Sequence, residues 1–581
     1  MLLHLEKHDY IEPHTSEREE VVTQALIAFD TDHIKRYVFN TNKLKEIRGA
    51  SSILDRLNRK ETVHIAQKYG ARTIYANGGS ALFLVDARSA EALGKEVQRC
   101  YQRETRGGAS ITYAIQPLPD YDPRIDIMNT AYLGDTAIAD LLELLRFRQR
   151  MAKESLHMDT MQQEDTLHTI AYPSHPFFST CDSCGMEYAQ NVLSEPDDED
   201  DEGRYCRICT GKHQEDQDVK KQLENMQKRH HSARDFSEYQ PLWERILEHL
   251  QPGDLQGRTL QRPKKFGSFQ DFSKNKEYIG LIYADGNQMG ERLKTLRTLQ
   301  EYQDFARTID DALFAALGHA ISVHLPLNRN QLPFDVLLVG GDDVIILVPA
   351  EKAMQIAFTL AKTFSTKLVE HYPNNEALQC TLSVSVVLAP IKYPFSLQRE
   401  LSDATLKAAK KAGAPYRIAP SLVNFVVVTG NISMDEKSRN QELQRTQKQW
   451  ISSKEAIITK FQATLRPYTL DGLDWLLKRL EAGNKLRLGR TKLHQLREAI
   501  LRLNNTITVL ETLATMRNWQ ENERTFIMNM VQKINELYKL PRKQVEISFP
   551  WFSIRRSNKD KHSIYQTPLL DFIELYDFVA F

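Results

Sequence analysis

Two stretches of the chain repeat one order of apolar and polar runs. QALIAFDTD, residues 24–32, is an apolar strand ending in the carboxylates Asp30 and Asp32, and a polar helix-like stretch follows it. RTIYANGGSALFLV, from Arg72 to Val85, is two apolar runs around Gly78-Gly79, the pattern of a β-hairpin. SAEALGKEVQRCYQRE reads as an amphipathic helix and ASITYAIQP as a further strand. The second copy opens with YIGLIYADGN (Tyr278 to Asn287), a strand ending at Asp285. A helical segment runs from there to about Val323, and FDVLLVGGDDVIILVP (Phe334 to Pro349) is a hairpin around Gly340-Gly341-Asp342-Asp343. A helix over Glu351 to about His371 and the strand CTLSVSVVLAP close the unit. Two strand–helix–hairpin–helix–strand units of similar spacing predict two ferredoxin-like folds in an α+β chain.

The remainder is read against that repeat. Residues 1–23 are an N-terminal extension, 24–133 the first ferredoxin-like unit and 271–430 the second. Between them, 134–270 is an insert. It has a helical stretch from about Asp135 to Glu164, two C-x-x-C pairs, polar helical segments to about Leu250 and the linker QPGDLQGRTLQRPKKFGS. The acidic run from Glu195 to Glu202 between the cysteine pairs is expected to be a solvated loop. Residues 431–581 are expected to be a helical C-terminal domain, because LDWLLKRLEAG and LHQLREAILRLNNTITVLETLA carry apolar residues at three and four spacing.

Composition narrows the class without naming a function. Of 581 residues, 41% are hydrophobic and 26% charged, which are ordinary globular values. Lysine plus arginine and aspartate plus glutamate each number 76, so any nucleic-acid binding must come from local patches. No run of 18 apolar residues predicts a membrane span, and the N-terminus lacks the apolar core of a signal peptide, so a cytoplasmic protein is expected. Four of the six cysteines, Cys181, Cys184, Cys206 and Cys209, have the spacing C-x2-C-x21-C-x2-C. Four thiolates in two such knuckles predict a structural tetrahedral zinc site with no open position. His213 is read as a bystander to that site, and Cys100 and Cys380 as small core residues.

The glycines of Gly340-Gly341-Asp342-Asp343 permit a tight turn that puts two carboxylates at a hairpin tip. Alone, such a turn could be inert. Asp285, however, ends the strand that a ferredoxin-like sheet places beside the hairpin, so three carboxylates converge at one edge. They repel one another unless a cation holds them, and hard oxygen ligands suit magnesium or manganese. Two such ions can activate an attacking hydroxyl and stabilise a leaving pyrophosphate. In the first unit Ser80 and Ala81 follow the hairpin glycines, where the second has Asp342 and Asp343, so the first is expected not to hold two metals. Asp30 and Asp32 either take part directly or cap the following helix. Lys407, Lys410 and Lys411 lie on a helix where a lysine could reach a triphosphate or simply face solvent. Lys478, Arg479, Lys485, Arg487, Arg490, Lys492 and Arg497 form a basic cluster that either contacts RNA phosphates or is a solvated helical face.

IAFDTDHIKRYVFNTNKLKEIRGASSILDRLN, IYANGGSALFLV, the double C-x-x-C insert, IYADGNQMGERL, LLVGGDDVIILVP and the closing TPLLDFIELYDF, in this order, resemble the large palm-domain subunit of type III CRISPR effector complexes. The resemblance spans nearly the whole chain. It implies two palm domains, a four-cysteine zinc-ribbon insert between them, and a helical C-terminal domain that docks small subunits. It implies conversion of ATP to cyclic oligoadenylates when a crRNA-guided complex senses target RNA. Asp285, Asp342 and Asp343 would hold the Mg2+ or Mn2+ ions and catalyse 3′-hydroxyl attack on an α-phosphate. Gly340, Gly341, Gly286, Asn287, Lys407 and Lys411 would contact one ATP, and Gly78, Gly79 and Ser80 of the first palm would seat the other. Many members begin with a histidine–aspartate nuclease domain. Too little chain precedes residue 24 for one, His8-Asp9 is read as a coincidence, and no DNase activity is expected. The alternatives are a non-catalytic RNA-binding scaffold and a stand-alone cyclase with another product, such as a cyclic dinucleotide.

Overall fold

The computed structural model describes residues 23–118, 121–164, 179–195, 198–228, 240–250, 261–272, 277–327, 331–429, 443–450, 456–554 and 562–579. The N-terminal extension before residue 23, with His8-Asp9, and linker residues 251–260 lie outside them.

The first palm runs β1 (Gln24–Thr31), α1 (Ile34–Phe39), α2 (Leu44–Arg56), α3 (Thr62–Lys68), β2 (Arg72–Asn77), β3 (Ser80–Asp86), α4 (Ala90–Glu104) and β4 (Ile111–Pro117). Its sheet order is β2-β3-β1-β4. A small hairpin, β5 (Tyr132–Leu133) and β6 (Thr136–Ala137), leads into the long α5 (Ile138–Glu164). The insert continues with β7 (Asn191–Glu195), β8 (Asp198–Tyr205), α6 (Arg207–Lys228) and α7 (Leu242–Glu248). The second palm is β9 (Tyr278–Gly286), α8 (Met289–Leu293), α9 (Leu299–His324), β10 (Asp335–Gly340), β11 (Asp343–Pro349), α10 (Ala350–His371) and β12 (Leu382–Pro390). It is followed by α11 (Phe395–Gly413) and β13 (Leu422–Val427), which pairs parallel to β12. The order β10-β11-β9-β12 repeats that of the first palm.

Both faces of each sheet are covered, which is why the strands read as unbroken apolar runs rather than alternating ones. In the first palm, Ile27 and Phe29 share a core with the crossover helices α2 and α4, and Leu26 and Ala28 share one with Leu141, Leu142 and Leu145 of α5. In the second, Ile282 and Ala284 lie with α9 and α10, and Leu281 and Tyr283 with Phe395, Leu401 and Leu406 of α11. Thus α5 and α11 are counterparts, each closing the face of its palm opposite the crossover helices.

After β13 come β14 (Gln444–Trp450), β15 (Ala456–Gln462), β16 (Tyr468–Thr469), α12 (Leu470–Leu486), α13 (Arg490–Ile500), α14 (Asn505–Met516), α15 (Glu521–Gln532) and α16 (Ile534–Leu537). β17 (Val545–Ser548), β18 (Trp551–Ile554), β19 (His562–Gln566) and α17 (Leu569–Tyr576) complete the chain. The expected helices are present, but so is a five-stranded sheet, β14-β15-β19-β18-β17. Its edge strand QRTQKQW pairs with β15 along its length but is nearly all polar, so it has no apolar signature. The acidic run is also more ordered than expected. Its two ends are strands β7 and β8, paired as far as Glu195 opposite Asp198, because the cysteine knuckles hold them side by side. The closing TPLLDFIELYDF is structural. Asp571, fully buried, accepts from Tyr468 Oη at 2.7 Å and Thr464 Oγ1 at 2.7 Å and pairs with Arg466, which reaches back to the Phe425 carbonyl of β13.

The palms and the insert are joined by buried charge. Arg48 of α2 meets Asp216 of α6 at 2.9 Å and Asp335 of β10 at 3.1 Å, all without exposure, and Arg262 pairs with Asp335 at 2.8 Å. Gly49 lets α6 approach α2, since a Cβ there would lie 1.7 Å from the Lys212 carbonyl oxygen.

Candidate metal and nucleotide site

The two hairpins share a bulge, between Thr73 and Tyr75 in β2 and between Val336 and Leu338 in β10. Their registers correct the sequence alignment by one residue. Asn77 pairs with Ser80 and Gly340 with Asp343, so the second turn begins one residue later in its motif. Ser80 stands opposite Asp30, and Val344 opposite Ala284 puts Asp343 opposite Asp285. Ser80 is therefore the counterpart of Asp343, and Gly79 of Asp342; Ala81 corresponds to Val344. The first palm still offers no carboxylate at its tip.

The tips touch. A Cβ on Gly340 would lie 2.8 Å from the Gly78 Cα, and one on Gly78 would lie 3.0 Å from the Gly341 nitrogen. Gly78, Gly79 and Gly341 have φ of 61°, 81° and 62°, which side chains rarely accept. The glycines thus serve the turns and the palm–palm contact.

Asp285, Asp342 and Asp343 each bring a carboxylate oxygen within 4.8 Å of the others. Gly286 makes room, since a Cβ there would meet Asp342 Oδ2 at 2.5 Å. Burial and the charge of Asp285 push Asp342 up to about 7 and raise Asp343 as well, while Lys410 and Lys35 respectively draw them down. Protein cations thus leave the cluster undercompensated, and three hard oxygen donors so placed fit a divalent ion.

Of the three helix lysines, Lys410 is the one at the cluster. Its Nζ lies 2.5 Å from Asp285 Oδ2 and donates to the Gly286 carbonyl at 2.9 Å. Lys407 and Lys411, named from sequence, are exposed on α11, because the helical turn carries them away from β9. Asn287 is 4% exposed and its amide is committed, donating to Thr381 Oγ1 at 2.8 Å and accepting from Ser383 Oγ at 2.7 Å. It fixes the end of β9 rather than opening toward a ligand. Gln288 follows with φ 56°, as His33 does with φ 52°.

The first palm repeats this frame. Asp32, in the place of Asn287, accepts from Ser110 Oγ at 2.9 Å and Thr112 Oγ1 at 2.8 Å. Asp30, in the place of Asp285, pairs at 2.6 Å with Lys153 of α5, which also reaches Asp32 at 3.2 Å. Neither aspartate caps α1, whose N-cap is His33. A cavity of about 180 Å3 lies beside both tips, lined among others by Tyr75, Ser80, Arg146, Met289, Tyr302 and Asp342.

Cys181, Cys184, Cys206 and Cys209 bring their sulfurs within 4.8 Å of one another, an arrangement that fits a tetrahedral zinc ion. His213 packs on Tyr205 outside that set. In the basic cluster, Lys478, Lys485, Arg490, Lys492 and Arg497 pair with Asp474, Glu481, Asp577, Glu523 and Glu498. That face is locally balanced, which sequence separation conceals for the Asp577 and Glu523 partners.

Comparison with known proteins now decides the fold. Residues 278–419 match the family model of the Cas10/Cmr2 second palm domain. This stretch carries a Cas10/Cmr2-type second palm domain. The Csm1–Csm4 cassette in complex with cA4 superposes with a TM-score of 0.51 at 13% identity, covering 90% of this chain and 68% of that one. The cassette in complex with cA3 gives 0.51 at 13% identity, over 96% and 70%. The apo cassette gives 0.51 at 14%, over 90% and 68%. At such identities the likeness is one of fold. No curated protein matches the chain. Among its described residues no helix is long and apolar enough to cross a membrane.

Proposed function

We propose that the chain is a metal-dependent nucleotidyl cyclase that converts ATP to cyclic oligoadenylates, working as the large subunit of a crRNA-guided type III CRISPR effector. The observation that carries this reading is the convergence of Asp285, Asp342 and Asp343 beneath Lys410, at the point where the two palms meet. The cA4 and cA3 complexes of the similar Csm1–Csm4 cassette support the choice of product.

Asp285, Asp342 and Asp343 would hold the Mg2+ or Mn2+ ions. When bound, these supply activation of a 3′-hydroxyl and charge neutralisation on the leaving pyrophosphate. The hydroxyl oxygen forms a bond to an α-phosphorus as the bond to the β-phosphate bridging oxygen breaks. The hydroxyl proton passes to solvent water, the pyrophosphate departs with the bridging oxygen, and no side chain is assigned as the base. Lys410, anchored on the Gly286 carbonyl, presents a compact positive charge to a triphosphate. Ser80 and the apolar wall of Tyr75 and Tyr302 form the first-palm seat for the second nucleotide. The four cysteines would hold a structural zinc ion that ties β7 and β8 to the N-terminus of α6.

The test is incubation of purified protein with labelled ATP and Mg2+ or Mn2+, with and without guide complex and target RNA, and separation of products by mass. Cyclic oligoadenylates absent from the Asp342→Ala/Asp343→Ala double variant establish the reading. Product that survives the double variant defeats it.

A further inference from the structure

The duplicated frame is broken at one position beside the carboxylates. His33 and Gln288 occupy equivalent left-handed positions, so Ile34 corresponds to Met289 and Lys35 to Gly290. The second palm therefore has no side chain where the first has a lysine, and a Cβ on Gly290 would meet open space. Lys35 does not serve its own palm. Its ammonium donates to the hydroxyl of Tyr283 on β9, across 248 residues of sequence, and lies 4.8 Å from the centre of that ring. Tyr283 stands two residues before Asp285, on the same strand face. The charges around its ring are Asp343, Asp285, Asp403 and Asp342. Its hydroxyl holds the lysine at the rim of the carboxylate cluster. Lys35 is only partly exposed, and its charge already acts on Asp343.

We infer that Lys35 is a first-palm cation belonging to the second palm's nucleotide site, placed to receive the polyphosphate of the nucleoside triphosphate held at Asp285, Asp342 and Asp343. The inference rests on the reading of that triad as a metal–nucleotide site. It makes the site composite: the first palm supplies a charge to the second, and Gly290 leaves the reciprocal position without a lysine.

The sign of the charge provides the test. Full-length protein is titrated with Mn2+ by electron paramagnetic resonance, alone and with a non-hydrolysable ATP analogue, as wild type, Lys35→Met, Lys35→Arg and Tyr283→Phe. Removing a like charge should tighten Mn2+ alone by about three- to tenfold, while weakening the Mn2+–nucleotide complex by a similar factor. Lys35→Arg should restore both. Tyr283→Phe, which keeps the charge but frees it, should weaken nucleotide binding by about two- to threefold and leave Mn2+ alone unchanged. A merely structural lysine would move both affinities down together or neither. Either result in Lys35→Met, or in Tyr283→Phe should Lys35→Met not fold, overturns the inference and leaves the triad reading standing. Wild type that binds no Mn2+ defeats both.

Discussion

The two palms are the same scaffold carried to different ends. Both have the order β2-β3-β1-β4 or its equivalent, the same bulge in the hairpin's first strand, a left-handed residue after the central strand and a polar latch from that strand to the fourth. Both set a lysine from the covering helix against the strand-end aspartate, Lys153 on Asp30 and Lys410 on Asp285. Two of their differences decide the charge at the tips: Gly79 and Ser80 against Asp342 and Asp343, and Lys35 against Gly290. In the first palm, one lysine and two hydroxyls already satisfy the carboxylates. In the second, three carboxylates outnumber the lysine that touches them. A cluster fit for a divalent ion therefore needs little new architecture here, only an excess of negative charge on a frame that already exists.

The largest test of that asymmetry is catalytic. Asp342→Ala/Asp343→Ala should cut product formation by at least about a hundredfold, whereas Ser80→Ala should cost about tenfold or less. Equal losses in both would mean that the palms share the chemistry. Cys181→Ser/Cys184→Ser should lose one equivalent of zinc by metal analysis and unfold at a lower temperature; retained zinc would point to other ligands. Next is the joint between palms. Arg48→Met leaves the buried carboxylates of Asp216 and Asp335 with one cation each, Lys220 and Arg262, and should cost about 3 kcal/mol in denaturant unfolding. A change below about 1 kcal/mol would mean the palms are not locked by charge. Gly340→Ala, which presses on the Gly78 backbone, should cost about 1–3 kcal/mol and lower activity more than Gly290→Ala, whose site is open.

The smallest effect is a pH dependence. Asp342 is pushed up to about 7, against an ordinary 3.8. Without an ion, the folded protein keeps that proton where the unfolded chain has lost it. The stability so contributed is full at low pH and is lost as pH rises from about 4 through about 7. Mn2+ competes with the same proton, so its affinity should climb over that interval and level off above it. A flat profile from pH 5 to 8, on the scale of roughly one pKa unit per tenfold, would place the cluster in an ordinary solvated setting.

Much of this was legible in the sequence. The repeat announced itself because both faces of each sheet are buried, so its strands stand out as apolar runs, and paired glycines mark both turns. The carboxylate triad followed from strand ends and turn tips, whose positions are local matters. What could not be read depends on tertiary placement. Lys410 rather than Lys407 or Lys411 reaches Asp285 because of the rotation of α11 on its sheet. Lys35 and Lys153 act across chain separations that no local pattern spans. The one-residue register offset arises because two equal-looking glycine pairs begin their turns at different points. The C-terminal sheet escaped notice because QRTQKQW has no apolar period, and β17, β18 and β19 have only 4, 4 and 5 residues.

The meeting of Gly78 with Gly340 has a consequence for measurement at the atomic scale. Backbone rests on backbone there, with no side chain between, so the interval separating the two hairpin tips is a main-chain dimension. It works as a fixed gauge. Side chains around the tips can be exchanged, yet the distance between the two turns stays set by the width of a peptide.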